Sequence, residues 1–131
     1  MTRRSIEIPG VGHGAQPFPL ASLVGPLLVT SGIHGTDPAT GTLADGAEAQ
    51  IGQAFANLRA VLEQAGGTPD DVAQVLVTLT DRAHRSMVND VWEGLFPDPA
   101  SRPARNTSER DLPGGSLCQL IAYAYIDDVI K

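Results

Sequence analysis

The chain has 131 residues, a formal charge of −6 and one cysteine, with an isoelectric point near 4.8. The nine basic residues form no run or stripe, which argues against general nucleic-acid binding, and Cys118 alone excludes an intrachain disulfide or a multi-cysteine metal site. Apolar residues make up 42%, enough for one domain with a real core, yet no apolar run reaches the length of a membrane span. Because Met1-Thr2-Arg3-Arg4 is not followed by a signal-peptide core, a cytoplasmic location is expected.

Residues 5–8 alternate polar and apolar and predict a short first strand, stopped by Pro9-Gly10. Gly10, Gly12, Gly14, Pro17 and Pro19 then surround His13 and Phe18, too many breakers for a helix, and predict a restrained loop. Residues 20–24 and 27–30 read as a hairpin across Gly25-Pro26, and residues 37–41 as a polar turn. Ile51, Ala54, Phe55, Leu58, Val61, Leu62 and Ala65 repeat with helical period, so a helix ends at Gly66-Gly67. Thr68-Pro69-Asp70-Asp71 begins a turn with room for one short helical turn, and residues 74–80 are a β-rich strand.

A second helix is predicted over residues 83–95, with Val88, Val91, Trp92, Leu95 and Phe96 on one stripe, which makes Trp92 a core residue. Residues 112–115 read as a hairpin-like turn and residues 117–126 as the last strand. That strand is largely apolar on both sides. Two helices cannot cover both faces of such a sheet, so an α+β fold with its helices on one face implies that another subunit covers the second, in a ring or a symmetric dimer.

His13, His34 and His84 are dispersed without metal-ligand spacing, and no phosphate-cradling glycine motif occurs, so neither a metal nor a cofactor is expected. His34 follows Ser31-Gly32-Ile33 at a strand end, where a cleft residue and a plain loop histidine fit equally well. In Pro103-Ala104-Arg105-Asn106-Thr107 a proline-fixed turn leads into an extended segment and presents Arg105, whose planar fork of donors suits a small carboxylate. The plainer reading is a solvated arginine. Gln119 is an amide on an otherwise apolar strand: either it is a paired core group, or it faces the same cleft as Arg105 and holds a water or an amino group. Cys118 reads as a small buried hydrophobe.

The Gly-Pro-rich loop with Phe18, the run Leu28-Val29-Thr30-Ser31-Gly32, the pair Val88-Asn89, Pro103-Ala104-Arg105 and the closing strand occur in the order and spacing of a known family. In these residues the chain resembles the Rid (YjgF) family of reactive-intermediate imine deaminases. The resemblance implies a chorismate-mutase-like sheet with two helices on one face, assembled as a homotrimer with a site in each cleft between subunits. It further implies that Arg105 binds the substrate carboxylate, that Ser31 and Gly32 line the site, that Phe18 closes it and that Asn89 lies near the cleft. Ile33, His34, Asn106 and Thr107 complete the candidate substrate-binding set, and Gln119 joins Arg105 as the catalytic pair. The glycine-rich loop and the stretch 31–35 also look like the branch that includes 2-aminomuconate deaminases.

The chain departs from the family pattern at two positions. Asn106 follows the arginine where a small residue is common, and Gln119 stands where deaminating members have a glutamate that positions water. Glutamine holds a water but takes no proton near pH 7. A non-catalytic trimer that binds small carboxylates is therefore the alternative to a deaminase. A ribonuclease, also attached to parts of the family, is disfavoured by the acidic charge.

Overall fold

The computed structural model describes residues 2–127. In chain order it contains strands β1 (Arg3–Ile6), β2 (Ala21–Val24), β3 (Leu27–Thr30), β4 (Ile33–His34), β5 (Thr36–Asp37) and β6 (Thr42–Leu43), then helix α1 (Ala47–Gln64) and β7 (Val72–Leu79). Helix α2 (Arg85–Leu95), β8 (Ala104–Glu109) and β9 (Cys118–Tyr125) follow. The main sheet runs β1-β2-β3-β9-β7-β8, with β4 also beside β9, while β5 and β6 form a separate two-stranded hairpin. The expected α+β architecture with both helices on one face is what the chain adopts.

Helix α1 follows directly from its apolar period. Ile51, Ala54, Phe55, Leu58, Val61 and Leu62 are all buried, and each large side chain so buried contributes about 1.5–3 kcal/mol. The stop is equally local: Gly66 takes φ +86°, its N–H donates to Glu63 O at 3.0 Å, and Gly67 N–H donates to Leu62 O at 2.8 Å. Those two bonds satisfy carbonyls that the helix end would leave open, and the left-handed residue between them is the one a side chain would strain. The expected short helical turn forms over Pro69–Asp71, and Thr68 caps it.

Helix α2 is shorter than predicted, because residues Arg82–His84 form a 3₁₀ turn before the α-helix starts. The Asp81 carboxylate accepts from Ala83 N–H at 2.9 Å and sets up that tighter turn. Val88, Trp92 and Phe96 are buried as the stripe requires. Trp92 meets Phe55 of α1 edge-on at 6.3 Å and Phe96 at 4.8 Å between ring centroids, joining the two helices.

Two predicted features need correction, and three short strands have no counterpart in the sequence reading. The first strand lies two residues earlier than read, with Ile6 buried and Ile8 only bridging Val11; Pro9-Gly10 ends the segment but does not fix where pairing begins. The short strands β4 to β6 carry too few residues for a periodic signal. Residues 112–115 form no hairpin, because β8 and β9 both flank β7, β8 in parallel and β9 antiparallel. The physical reason is burial: β8 is polar and mostly exposed, suited to a sheet edge, whereas β9 is apolar and belongs at the centre.

The sheet face beneath the helices carries Leu28, Val75, Val77, Leu79, Cys118, Leu120, Ala122 and Ala124, all buried. The opposite face presents Leu27, Tyr123 and Tyr125, and Val24 pairs with Leu27 in register beside them; all four are exposed, Tyr125 at 60%. These are large apolar groups in one contiguous strip.

Candidate functional site

The side chain of Arg105 is positioned by the strand it sits on and the helix above it. Arg105 pairs in register with Val75, so strand alternation turns it toward α2. Its Nη2 donates to Asn89 Oδ1 at 2.7 Å, and its guanidinium carbon lies 5.0 Å from the centroid of the Trp92 ring. A cation over an indole is worth about 0.5–2 kcal/mol and fixes the plane of the fork. Just upstream, Arg102 Nε donates to Phe96 O at 2.8 Å, tying the chain to the end of α2. Burial, and after it the nearby Arg85, lowers the pKa of Arg105. The group remains a cation at any pH of interest.

Asn89, Trp92, Glu93, Arg102, Pro103 and Arg105 line a cavity of about 330 Å³. Among the described residues the side-chain ion pair is Arg59 with Glu63, on the exposed side of α1. Arg105 therefore has its orientation fixed by a neutral amide and a ring, and no carboxylate takes its charge. That arrangement favours an external anion.

A second cluster forms on the other side of the sheet. Between the pairs Val29 with Tyr123 and Ile33 with Leu120, three residues of the β3–β4 segment oppose two of β9, which is a bulge. Thr30 Oγ1 accepts from Ala122 N–H at 2.9 Å where the ladder is interrupted. Ser31 N–H donates to Leu20 O at 2.7 Å and its hydroxyl donates to Pro19 O at 2.8 Å, so this turn is held at both groups. Gly32 lets the Gln119 amide approach: a Cβ there would sit 2.7 Å from Oε1. His34 pairs with Gln119 in register and lies on the same side.

His34 Nδ1 lies 2.6 Å from Ser116 Oγ, whose hydroxyl donates to Cys118 O at 3.1 Å. The His13 ring packs 4.7 Å from that of Phe18 and 6.5 Å from that of His34. Burial, and then the neighbouring His13, lowers the pKa of His34. This cluster brings a neutral imidazole, an amide and an aromatic ring together around a bulge.

The two clusters do not meet within one chain. Gln119 pairs with Thr78, and Arg105 pairs with Val75, three residues along β7, so the two point to opposite faces. The reading in which Gln119 faces the same cleft as Arg105 is not met inside a single chain. Asn106 also turns away from Arg105 by strand alternation, whereas the half-buried Thr107 points to its side. Ile33 is fully buried in the core; alternation points its side chain under the helices and leaves its backbone alone for any ligand. Phe18 is 46% exposed, and within the chain its ring packs on that of His13.

Sequence reasoning treated Trp92 as core only; it is core, and its ring also carries Arg105. It also passed over Ser116, whose contact with His34 spans 82 positions and leaves no local signal. Cys118 is a buried hydrophobe as expected, its thiol pushed up to about 12 by desolvation.

Comparison with known proteins supplies a context for these clusters. The family model described as endoribonuclease L-PSP matches residues 13–116. A Bos taurus protein named 2-iminobutanoate/2-iminopropanoate deaminase is 36% identical over 126 residues, covering 95% of this chain and 90% of that protein. An Aquifex aeolicus RutC family protein is 33% identical over 111 residues, covering 84% and 89%. The crystal structure of RidA from the Antarctic bacterium Psychrobacter sp. superposes with a TM-score of 0.86 at 31% identity, over 94% of this chain and 99% of that one.

Proposed function

The chain belongs to the endoribonuclease L-PSP family, with which the RutC and RidA proteins are grouped, and from that premise we propose that it hydrolyses a small imine or enamine carboxylic acid to a keto acid and ammonia. The observation that carries this reading is Arg105, oriented by Asn89 and stacked over Trp92 at a cavity of about 330 Å³, and in no ion pair among the described residues. The substrate carboxylate takes two of its remaining N–H groups. Imines hydrolyse in water unaided, so orientation and modest polarisation suffice for catalysis.

The reacting carbon is placed by the second cluster, and the two clusters belong to different subunits of a homotrimer. Arg105 of one subunit faces the Gly32 and Gln119 cluster of the next, and Phe18 closes the cleft. The exposed strip of Val24, Leu27, Tyr123 and Tyr125 supports this assembly, since a face of that composition gains by burial between chains. Ammonia release from freshly generated imino acids and from 2-aminomuconate, with and without Arg105, tests the reading. A second reading, a trimer that binds small carboxylates without turnover, is favoured by one feature, the amide of Gln119, which takes no proton.

A further inference from the structure

The hydroxyl of Ser116 has one proton, and it is directed to Cys118 O. Its oxygen therefore accepts the 2.6 Å contact from His34, which makes Nδ1 the donor. In the neutral ring this leaves the Nε2 lone pair free. Among the described residues the buried side-chain polar atoms without a partner are His13 Nε2 and His84 Nδ1; His34 Nε2 also has no partner and is not among them, so it is reached by solvent. The strand register sets His34 opposite Gln119, so both side chains leave the same face of the sheet, the face on which Gly32 admits the amide.

Resting on the deaminase reading, we infer that His34 is the general base that Gln119 cannot be: Gln119 holds the attacking water and His34 Nε2 takes its proton. With the substrate as an iminium, the water oxygen bonds to carbon while the C=N π pair passes to nitrogen, giving a carbinolamine and an imidazolium. The imidazolium returns its proton to the nitrogen. The C–N bond then breaks as a hydroxyl lone pair forms the carbonyl, and the ammonia released takes the hydroxyl proton and leaves as ammonium. Atoms and charge balance as iminium plus water giving ketone plus ammonium.

The groups around His34 suit this role. His13 faces it from the preceding loop, Ser116 from the segment before β9 and Gln119 from β9, while Asn57 of α1 donates to the His34 carbonyl at 3.0 Å. Of these His13 is the one that disfavours a positive charge on His34, in line with the lowered pKa of His34. A base that is neutral at pH 7 and held in one tautomer is ready to accept a proton.

The test compares wild type with His34→Asn, whose amide keeps a donor toward Ser116 but has no base, and with His34→Gln as a second variant. Ammonia release is followed against pH on one imino acid. The inference predicts that kcat/KM falls about 100-fold or more in the variants, and that the variant-to-wild-type ratio rises toward one at acid pH, as wild-type His34 becomes protonated. Variants within threefold of wild type at all pH values overturn the inference and leave the deaminase reading standing. Absence of wild-type turnover above solvent hydrolysis overturns both. Independently of substrate and of variant folding, nitrogen NMR of the wild-type ring should find the neutral tautomer protonated at Nδ1, and in Ser116→Ala a mixture; a wild-type ring protonated at Nε2 overturns the assignment.

Discussion

Gly32 and Gln119 are in contact across the bulge, so close that a Cβ on Gly32 would lie 2.7 Å from Oε1 and 2.9 Å from Cδ of the glutamine. The obstacle is the end of a flexible side chain. Gly32→Ala should therefore fold with a loss under about 1 kcal/mol while pushing the amide aside, lowering kcat/KM about tenfold or more. At Gly35 a Cβ would instead strike the backbone of Gln50 in α1. Gly35→Ala has no side chain to displace and should cost about 2 kcal/mol or more. Denaturant unfolding of both variants, with kinetics of the first, checks the pair; equal stability losses would contradict it.

Asn89 holds the Arg105 fork at 2.7 Å without neutralising it. Asn89→Ala leaves the cation over Trp92 but frees its rotation about the stack. The expected effect is on carboxylate capture: KM rises about tenfold, with kcat changed less. Steady-state kinetics on one imino acid reads the split, and a fall in kcat at unchanged KM speaks against an orienting role.

His34 is held below its ordinary value of 6.5 by burial, with His13 adding to the effect. Between that lowered value and 6.5 the unfolded chain binds more protons than the folded one. Its contribution to stability is therefore complete above pH 6.5 and is lost as pH falls through the lowered value. Thermal unfolding from pH 8 to pH 5 should show a steeper acid decline in wild type than in His34→Asn. Parallel curves would contradict the assigned environment.

Much of the frame was legible because it is local. The six apolar positions of α1, its C-cap Ala65 and the Gly66-Gly67 stop are properties of one segment, and the structure reproduces them. Apolar residues on both sides of β9 signalled a second face that the helices leave for another subunit to cover, and within the chain Tyr123 and Tyr125 stand exposed on it. What failed was long-range placement. The turn at 112–115 has hairpin chemistry, yet β7 occupies the place between β8 and β9, and no residue in the turn records that. The site was legible as residue types rather than as geometry: Arg105 and Gln119 were both visible, but only strand register shows them on opposite faces. The Ser116 contact that orients His34 depends on residues that meet only once the sheet has formed.

A cleft shared between subunits makes a further prediction. In Arg105→Ala the Gly32 and Gln119 cluster is intact, and in a Gly32→Val variant the Arg105 cluster is intact. Unfolding and refolding the two together should restore about a quarter of the sites by random mixing in a ring of three. Recovered activity in the mixture, beyond the sum of the two variants alone, supports the shared site. A mixture no more active than that sum contradicts it.

The most direct test of the central claim is ammonia release from freshly generated imino acids and from 2-aminomuconate by wild type and Arg105→Ala, with size-exclusion chromatography confirming that both have the same assembly. The account predicts saturable wild-type turnover, and in Arg105→Ala a kcat/KM about 100-fold lower or less, through loss of the charged bidentate contact. Equal rates in the two proteins, or a wild-type rate no greater than solvent hydrolysis, would contradict it.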